Sequence, residues 1–399
     1  MRIGLTTSVI QGGRTGIARY VFGLLEAFQR TATPHRFVLF VLEGDLPLFA
    51  AVQSTMEIVP VPECFRPPVR NILWHQRELP QLARRLGLDV LHVPSYRRML
   101  WPRPCALVAT IHDLAPFHVT AKYDWARMVY GRVVARRLAA RQDAIIAVSA
   151  TTARDVRRFF HVPAEKITVV PNGLDHARFH PAGDASDAGW AAERHALTAP
   201  FFLYVARLEH PAKNHVRLIA AFDKFKTATR SPWQLVFAGA DWHGAEAIHA
   251  ARAASPFARD IRSLGFVTDA DLPRLYRAAG VFVYPSHYEG FGLPPIEAMA
   301  CGCPVLTSPR GALGEVVGHA ALTVDPDDQG AWERALARLS GDEADRAWWR
   351  EAGLARARDF NWDRTAQATL QVYATAAAPR GVGAHPAFSG VNSLGAKRA

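Results

Sequence analysis

Short, nearly continuous runs of apolar and β-branched residues alternate along this chain with stretches of helical period, and that alternation confines it to one class of fold. Ile3–Val9, Arg36–Leu42, Glu57–Val61, Asp89–Val93, Ala106–Ile111, Asp143–Val148 and Ile167–Val170 read as strands buried on both faces, as in a parallel sheet. Between the first two, Ile17, Tyr20, Val21, Leu24, Leu25 and Phe28 recur at the spacing of one helix face. The scheme then repeats. Phe201–Val205, Gln234–Ala238, Val281–Tyr284, Pro304–Thr307 and Leu322–Val324 are strands, with helices over Val216–Lys226 and Leu272–Ala279 between them. The expectation is an α/β protein of two doubly wound domains.

The length of 399 residues suits two such domains, and 49% hydrophobic against 21% charged residues excludes a disordered chain. Asn172-Gly173, followed by Asp175, Phe179 and Pro181, marks a hinge, and Gly183–Gly189 has the composition of a linker. The expected division is a first domain over residues 1–178 and a second over 179–360. A helix over 361–378 is expected to pack back on the first domain, and residues 379–399, rich in Gly, Pro, Ser and Ala without periodicity, to form a disordered tail. No apolar run is long enough to span a bilayer, and the apolar start breaks at Gln11-Gly12-Gly13 without a signal-cleavage pattern, so a cytoplasmic protein is expected. Cys64, Cys105, Cys301 and Cys303 are too few for a disulfide framework, and no second pair at ligand spacing makes Cys301-Gly302-Cys303 a metal site.

Charge is distributed unevenly. Residues 1–180 hold 24 Lys and Arg against 13 Asp and Glu, whereas the remainder holds 23 of each, so the whole excess of +11 lies in the first half. Two stretches stand out. Residues 121–142 place Trp125, Met128, Val129, Val133, Leu138 and Ala139 along one face, with Lys122, Arg127, Arg132, Arg136, Arg137 and Arg141 against Asp124. Residues 66–103 hold Arg70, Arg77, Arg84, Arg85, Arg97 and Arg98 with the aromatics Trp74, Tyr96 and Trp101, which read as exposed. Such segments suit an anionic membrane surface. Nucleic acid is not expected as the partner, because no zinc-finger spacing, RNA-recognition signature or helix-turn-helix pattern is present.

The chemistry concentrates at Tyr284–Ala300. This segment follows a strand and opens a helix, because Pro294 and Pro295 fit only in a helix's first turn. Gly290 and Gly292 let backbone approach a ligand, and Gly290, Phe291, Gly292 and Leu293 precede or begin the helix, where free N–H groups favour an anion. Glu289 in the loop and Glu297 near the first turn can accept hydrogen bonds from hydroxyls. A nucleotide sugar carries both phosphate and hydroxyl groups. Arg207 and Lys213, just beyond the first strand of the second domain, are placed to neutralise a diphosphate. Gly12 and Gly13 lie in the turn after the first strand and could admit phosphate, and His112, beside Asp113, ends a strand of the first domain.

Glu289 and Glu297, set in EGFGLPPIEAMACGCPVL, resemble the E-x7-E motif of the retaining glycosyltransferases of GT-B fold, the large group 1 family. The likeness extends to Val205-Ala206-Arg207-Leu208 with Lys213-Asn214, to Pro171–Asp175, to Ala147-Val148-Ser149 and to Thr110–Asp113. It implies two Rossmann-like domains facing across a cleft, an acceptor-binding first and a donor-binding second, with Arg207 and Lys213 on the donor pyrophosphate and His112 at the transferred sugar or phosphate. It further implies transfer with retention. Glu289 is then expected to bind donor sugar hydroxyls and Glu297 the ribose. The wording of the motif, with Gly16-Ile17-Ala18-Arg19-Tyr20, is most similar to mannosyltransferases of O-antigen and exopolysaccharide assembly, which points to GDP-mannose as donor and a saccharide or polyprenyl-diphosphate-linked acceptor. The localisation expected is then cytoplasmic, with contact at the inner face of the cytoplasmic membrane. Asp325-Pro326-Asp327 spells a metal-binding pattern but reads as a turn, and no catalytic metal or other cofactor is expected. A nucleotide-sugar epimerase, a phosphorylase and a non-catalytic scaffold subunit are the alternatives; the intact Glu289, Glu297, Arg207 and Lys213 set argues against the last.

Overall fold

The computed structural model describes residues 1–10, 12–13, 15–118, 130–182 and 186–378. Its strands are β1 Arg2–Thr6, β2 Arg36–Leu42, β3 Glu57–Val61, β4 Val90–Val93, β5 Ala106–Ile111, β6 Ala144–Ala147 and β7 Ile167–Val169 in one sheet. A second sheet holds β8 Phe201–Val205, β9 Gln234–Ala238, β10 Ile261–Ser263, β11 Val281–Tyr284, β12 Val305–Thr307 and β13 Leu322–Thr323. The orders are β3-β2-β1-β4-β5-β6-β7 and β10-β9-β8-β11-β12-β13, and every pairing is parallel. Strand order reverses between β1 and β4 and between β8 and β11. Ligands of doubly wound sheets gather at the carboxyl ends of strands beside such a reversal.

Helices α1 Gly16–Arg30, α2 Pro68–Arg85, α3 Ala150–Asp155, α4 His215–Thr229, α5 Leu272–Ala278, α6 Leu293–Ala300 and α7 Trp362–Ala377 are those that shape the cleft and the domain surfaces. The apolar face of α1 packs on the first sheet with Tyr20, Val21, Leu24 and Leu25 fully buried. Trp362, Ala366, Val372 and Tyr373 of α7 join the same core, so the last helix among the described residues lies on the first domain. Its start touches the hinge: Thr365 Oγ1 donates to the Pro171 carbonyl at 2.8 Å and a His176 ring nitrogen to the Phe360 carbonyl at 2.8 Å.

Several expectations need correction. The first strand ends at Thr6 rather than Val9, because a turn begins at once, with Ile10 N–H donating to the Thr7 carbonyl at 3.1 Å. Strand β10 was not foreseen, being three residues long with polar Arg262 and Ser263 at a sheet edge. Of the linker-like stretch 183–189, residues 183–185 lie outside the described residues and 187–189 open a helix at Asp187–His195, held where the Asp187 carboxylate takes Arg274 at 3.0 Å and Arg277 at 2.6 Å.

Trp74 and Tyr96 are buried, not exposed; α2 turns Asn71, Trp74, His75 and Leu79 inward at helical spacing and leaves Val69 and Leu73 outside. Arg98 also points inward, its Nε donating to Asn71 Oδ1 at 2.5 Å. Within residues 121–142, Trp125, Met128, Val129 and their charged neighbours Lys122, Asp124 and Arg127 lie outside the described residues, and Val133 is exposed while Leu138 and Ala139 are buried. The expected tail, 379–399, is also outside them. Cys301 and Cys303 are buried free thiols in the second core, burial pushing the Cys301 thiol up to about 12. No helix among the described residues is long and apolar enough to cross a membrane.

Candidate active site

The site forms where the carboxyl edges of the two sheets face one another. From the second domain, the loop after β8 brings Arg207 and Lys213, and the loop after β11 brings Glu289, so the reversal of strand order puts them at one crevice. Lys213 Nζ donates to Glu289 Oε1 at 2.5 Å, and the Tyr284 hydroxyl donates to the same oxygen at 3.0 Å. Tyr204 fixes the backbone of this lysine, donating to the Lys213 carbonyl at 2.6 Å. Burial favours the neutral form of both partners, but their mutual attraction, together with hydrogen bonds from Ser286 and Tyr284 to Glu289 and the neighbouring Tyr204 and Glu209 for Lys213, outweighs it. The Glu289 carboxyl is held below and the Lys213 ammonium above their ordinary values, so both are charged at neutral pH.

Arg207 is exposed, its guanidinium stacked on Trp242 with 4.5 Å from its carbon to the ring centroid. No carboxylate among the described residues forms an ion pair with it. Stacking holds the planar group without neutralising it, which leaves its donors for an anion.

Gly290 packs its backbone directly against the facing domain. A Cβ there would lie 1.8 Å from the His112 carbonyl oxygen, so only glycine allows this contact. The His112 ring lies edge-on to Tyr20 with centroids 4.7 Å apart, and the carbonyl of Pro94 accepts its hydrogen bond. Its Nε2 is buried without a partner. Burial outweighs the attraction of Asp113 and pulls the His112 pKa down to about 4, so the ring is neutral at pH 7.

Helix α6 begins after Gly292, whose φ of +100° only glycine adopts without strain. Pro294 and Pro295 remove two of the four N–H groups that a helix start leaves free, so anion contact here rests on Gly292 and Leu293. The Phe291 side chain turns into the second core against Phe360, centroids 5.6 Å apart, leaving its backbone for the cleft. Gly12 and Gly13 form the turn after β1, with φ of +69° and +84°, ahead of the Thr15 cap of α1. A Cβ on Gly12 would meet nothing within 4 Å, and one on Gly13 would meet Leu48 and Phe22 of the first domain.

Glu297 is 2% exposed and already engaged. Arg19 of α1 reaches across the cleft to form a salt bridge with its Oε1, and the Tyr276 hydroxyl donates to its Oε2 at 3.0 Å. The other end of the Arg19 guanidinium meets Asp269 at 3.2 Å, which also takes Arg178 of the hinge at 2.9 Å. The carboxyl of Glu297, more than the burial of Arg19, sets the balance here and raises the guanidinium's proton affinity. Arg19, Tyr276 and Trp242 were not singled out by spacing. The glycine-rich turn and the helix start that follows it were the only signals near Arg19.

Asp325-Pro326-Asp327 is a turn, its carboxylates tied to Arg310 at 2.9 and 2.7 Å and to Arg217 at 2.9 Å. Cations thus occupy these carboxylates. Among the described residues no group of three or more His, Cys, Asp or Glu is arranged to hold a metal ion.

Residues 14–178 match the description Glycosyltransferase Family 4, and residues 191–356 match Glycosyl transferases group 1. O-antigen chain mannosyltransferase B of Escherichia coli is 32% identical over 272 residues, 67% of this chain and 69% of that protein. D-inositol 3-phosphate glycosyltransferase of Salinispora tropica is 33% identical over 283 residues, 65% of this chain and 58% of that one. Among solved structures, sucrose-phosphate synthase from Thermosynechococcus elongatus has a TM-score of 0.75 at 23% identity, covering 94% of this chain and 98% of its own. Anabaena HepE, solved with UDP and glucose, has a TM-score of 0.74 at 18% identity, covering 94% of this chain and all of its own. These structural likenesses speak for the fold, and the matches along both halves speak for the family: the chain belongs to the group 1 glycosyltransferases and is a glycosyltransferase of GT-B architecture.

Proposed function

We propose that this glycosyltransferase moves mannose from GDP-mannose to a saccharide carried on a polyprenyl diphosphate, with retention of anomeric configuration and without a metal ion. The observation that carries the reading of the site is the charged Lys213–Glu289 pair, with His112 held beside its loop from the facing domain. The choice of mannose follows the similarity to O-antigen chain mannosyltransferase B.

In this reading the second domain binds the donor and the first the acceptor. Lys213 has three N–H donors: one is given to Glu289, another faces the Tyr284 hydroxyl at 3.5 Å, and the third takes a donor phosphate oxygen beside Arg207. The backbone at Gly290–Leu293 completes the anion contact. Glu289 accepts from the sugar hydroxyls, and neutral His112 offers Nε2 to the sugar or the departing phosphate. Glu297 binds the ribose, sharing its carboxylate with Arg19. The bond from the anomeric carbon to the diphosphate breaks while the acceptor oxygen bonds to that carbon on the same face. The acceptor proton passes to the departing diphosphate, whose charge Arg207 and Lys213 offset.

A membrane contact fits the exposed surface of the first domain. Val69 is 70% and Leu73 46% exposed on α2, beside Arg70 and Arg77, and Trp101, 50% exposed, stacks under Arg141 at 4.4 Å. Val133 and Val134 form a second exposed apolar pair among Arg132, Arg136 and Arg137. Apolar side chains ringed by arginines match the boundary between anionic headgroups and acyl chains, where a lipid-linked acceptor is presented.

The test is a panel of GDP-mannose, UDP-glucose, UDP-N-acetylglucosamine and dTDP-rhamnose, read by thermal shift and by slow donor hydrolysis without acceptor. Selective stabilisation by GDP-mannose is expected. Selective response to another donor overturns the choice of mannose, and response to none overturns the assignment of the donor site.

A further inference from the structure

The loop that carries Glu289 is held from the facing domain on both sides. On one side, the Tyr288 hydroxyl donates to Asp155 Oδ2 at 2.5 Å, and a His118 ring nitrogen lies 2.8 Å from the same oxygen. The His118 and Tyr288 rings stack, centroids 4.3 Å apart and planes within 16°. On the other side, the Gly290 carbonyl accepts from Ser149 Oγ at 2.7 Å and Thr152 Oγ1 at 3.1 Å. Ser149 caps α3, Thr152 lies within it and Asp155 ends it, so one short helix of the first domain grips the residues before and after Glu289.

Its N-terminus is docked too. Glu315 of the second domain accepts from the N–H groups of Ala150 at 2.7 Å and Thr151 at 3.0 Å. Asp155 and Tyr288 are 6% and 8% exposed, so their bond is shielded from water and costly to leave unmade.

We infer that Asp155 is a positioning residue for Glu289: by holding Tyr288 across the cleft, it sets the catalytic loop only when the domains are closed. Asp155 has no role in this scheme as acid, base or donor ligand. It acts through Tyr288, one residue before Glu289, whose hydroxyl also meets the Leu114 backbone, and the opposite bonds to the Gly290 carbonyl hold the loop on its other side. An open enzyme keeps the Lys213–Glu289 pair, which lies wholly in the second domain, and therefore still binds donor. What it lacks is the placement of Glu289 against His112 and the acceptor. This inference rests on the proposed role of Glu289 as a ligand of the transferred sugar.

The experiment uses the full chain with the variants Tyr288→Phe, Asp155→Asn and Asp155→Ala. Donor hydrolysis is measured at varied GDP-mannose, and the radius of gyration without ligand by small-angle scattering. Tyr288→Phe keeps the ring stack and removes the hydroxyl's bonds to the first domain, to Asp155 and to the Leu114 backbone. It should lower kcat about 10-fold or more with the donor KM within about two-fold, as expected for a loop misplaced by a fraction of an ångström. Asp155→Asn, which can still accept from Tyr288, should retain more activity than Asp155→Ala, and Asp155→Ala should scatter as a more open molecule. A merely structural role would lower melting temperature without this split between kcat and KM. Wild-type kcat in Tyr288→Phe overturns the inference, as does unchanged scattering in Asp155→Ala; if that variant does not fold, Tyr288→Phe decides the matter alone. If the wild-type protein turns over no donor, the proposed function fails, and the scattering comparison still judges the clamp.

Discussion

Arg19 and Glu297 are joined across the cleft, an arginine of the first domain closing on a carboxylate of the second that is 2% exposed. Between them they tie domain closure to the pocket expected to take the ribose. Arg19→Ala should leave Glu297 with Tyr276 as its remaining partner and destabilise the ligand-free protein by about 1–3 kcal/mol, less than a fully buried pair because Arg19 is one-third exposed. Donor hydroxyls would then replace the lost partner. The thermal shift on adding GDP-mannose should exceed that of the wild type; an equal or smaller shift would show that nothing from the donor reaches Glu297.

Glu289→Ala should lower kcat by about 10²–10³-fold while changing the donor KM little, because its contacts with the sugar matter most as charge develops there. Glu297→Ala should act the other way, raising KM with a smaller loss of kcat. Steady-state kinetics on the two variants separates the roles, and interchanged effects would reverse the assignment.

Gly290→Ala places a methyl group 1.8 Å from the His112 carbonyl position and should prevent closure without unfolding either domain. Small-angle scattering should report a larger radius of gyration, with transfer abolished and nucleotide binding retained. A variant that scatters and turns over like the wild type would mean that the closed arrangement is not the active one.

Acid should destabilise the protein well before its carboxylates titrate. Burial pulls His75, His92 and His215 down to about 3 and His112 to about 4, against about 6.5 when unfolded. Between those values the unfolded chain binds more protons than the folded one. Stability is therefore complete above pH 6.5 and is lost as pH falls toward 4, by about 1.4 kcal/mol per pH unit for each ring. Melting temperature measured from pH 7.5 to 4.5 should fall steeply, and a flat profile would contradict neutral burial of these rings.

Val69→Glu with Leu73→Glu should abolish flotation on vesicles of anionic lipid at low salt while leaving donor binding untouched. Wild-type binding should weaken as salt rises, since arginines ring the patch. Flotation unaffected by these substitutions would remove α2 from the contact.

Much of the scaffold is readable because its signals are local. The runs at Arg36–Leu42, Ala106–Ile111, Phe201–Val205, Gln234–Ala238 and Val281–Tyr284 coincide with strands to the residue, since continuous apolar character is what a strand covered on both faces requires, whereas Glu57–Val61 and Ile167–Val169 are edge strands left largely uncovered. Glu289, Gly290 and Glu297 stand out through the turn and the two prolines around them. Their partners do not. Arg19 meets Glu297 across 278 positions and Tyr288 meets Asp155 across 133, contacts set by how two separately folded domains come together rather than by any short pattern. Trp74 was misplaced for a different reason: its neighbours suggested a basic surface, whereas the helical period through Asn71, His75 and Leu79 turns it inward.

The return of α7 to the first domain reorders how the molecule is made. Once residues 1–178 have emerged from the ribosome the first sheet is complete, yet Trp362, Ala366, Val372 and Tyr373 are still missing from its core. The second domain, contiguous in sequence, can assemble while the first waits. The half that emerges first is thus the last to be completed, and any truncation before residue 362 unseals the opposite end of the chain.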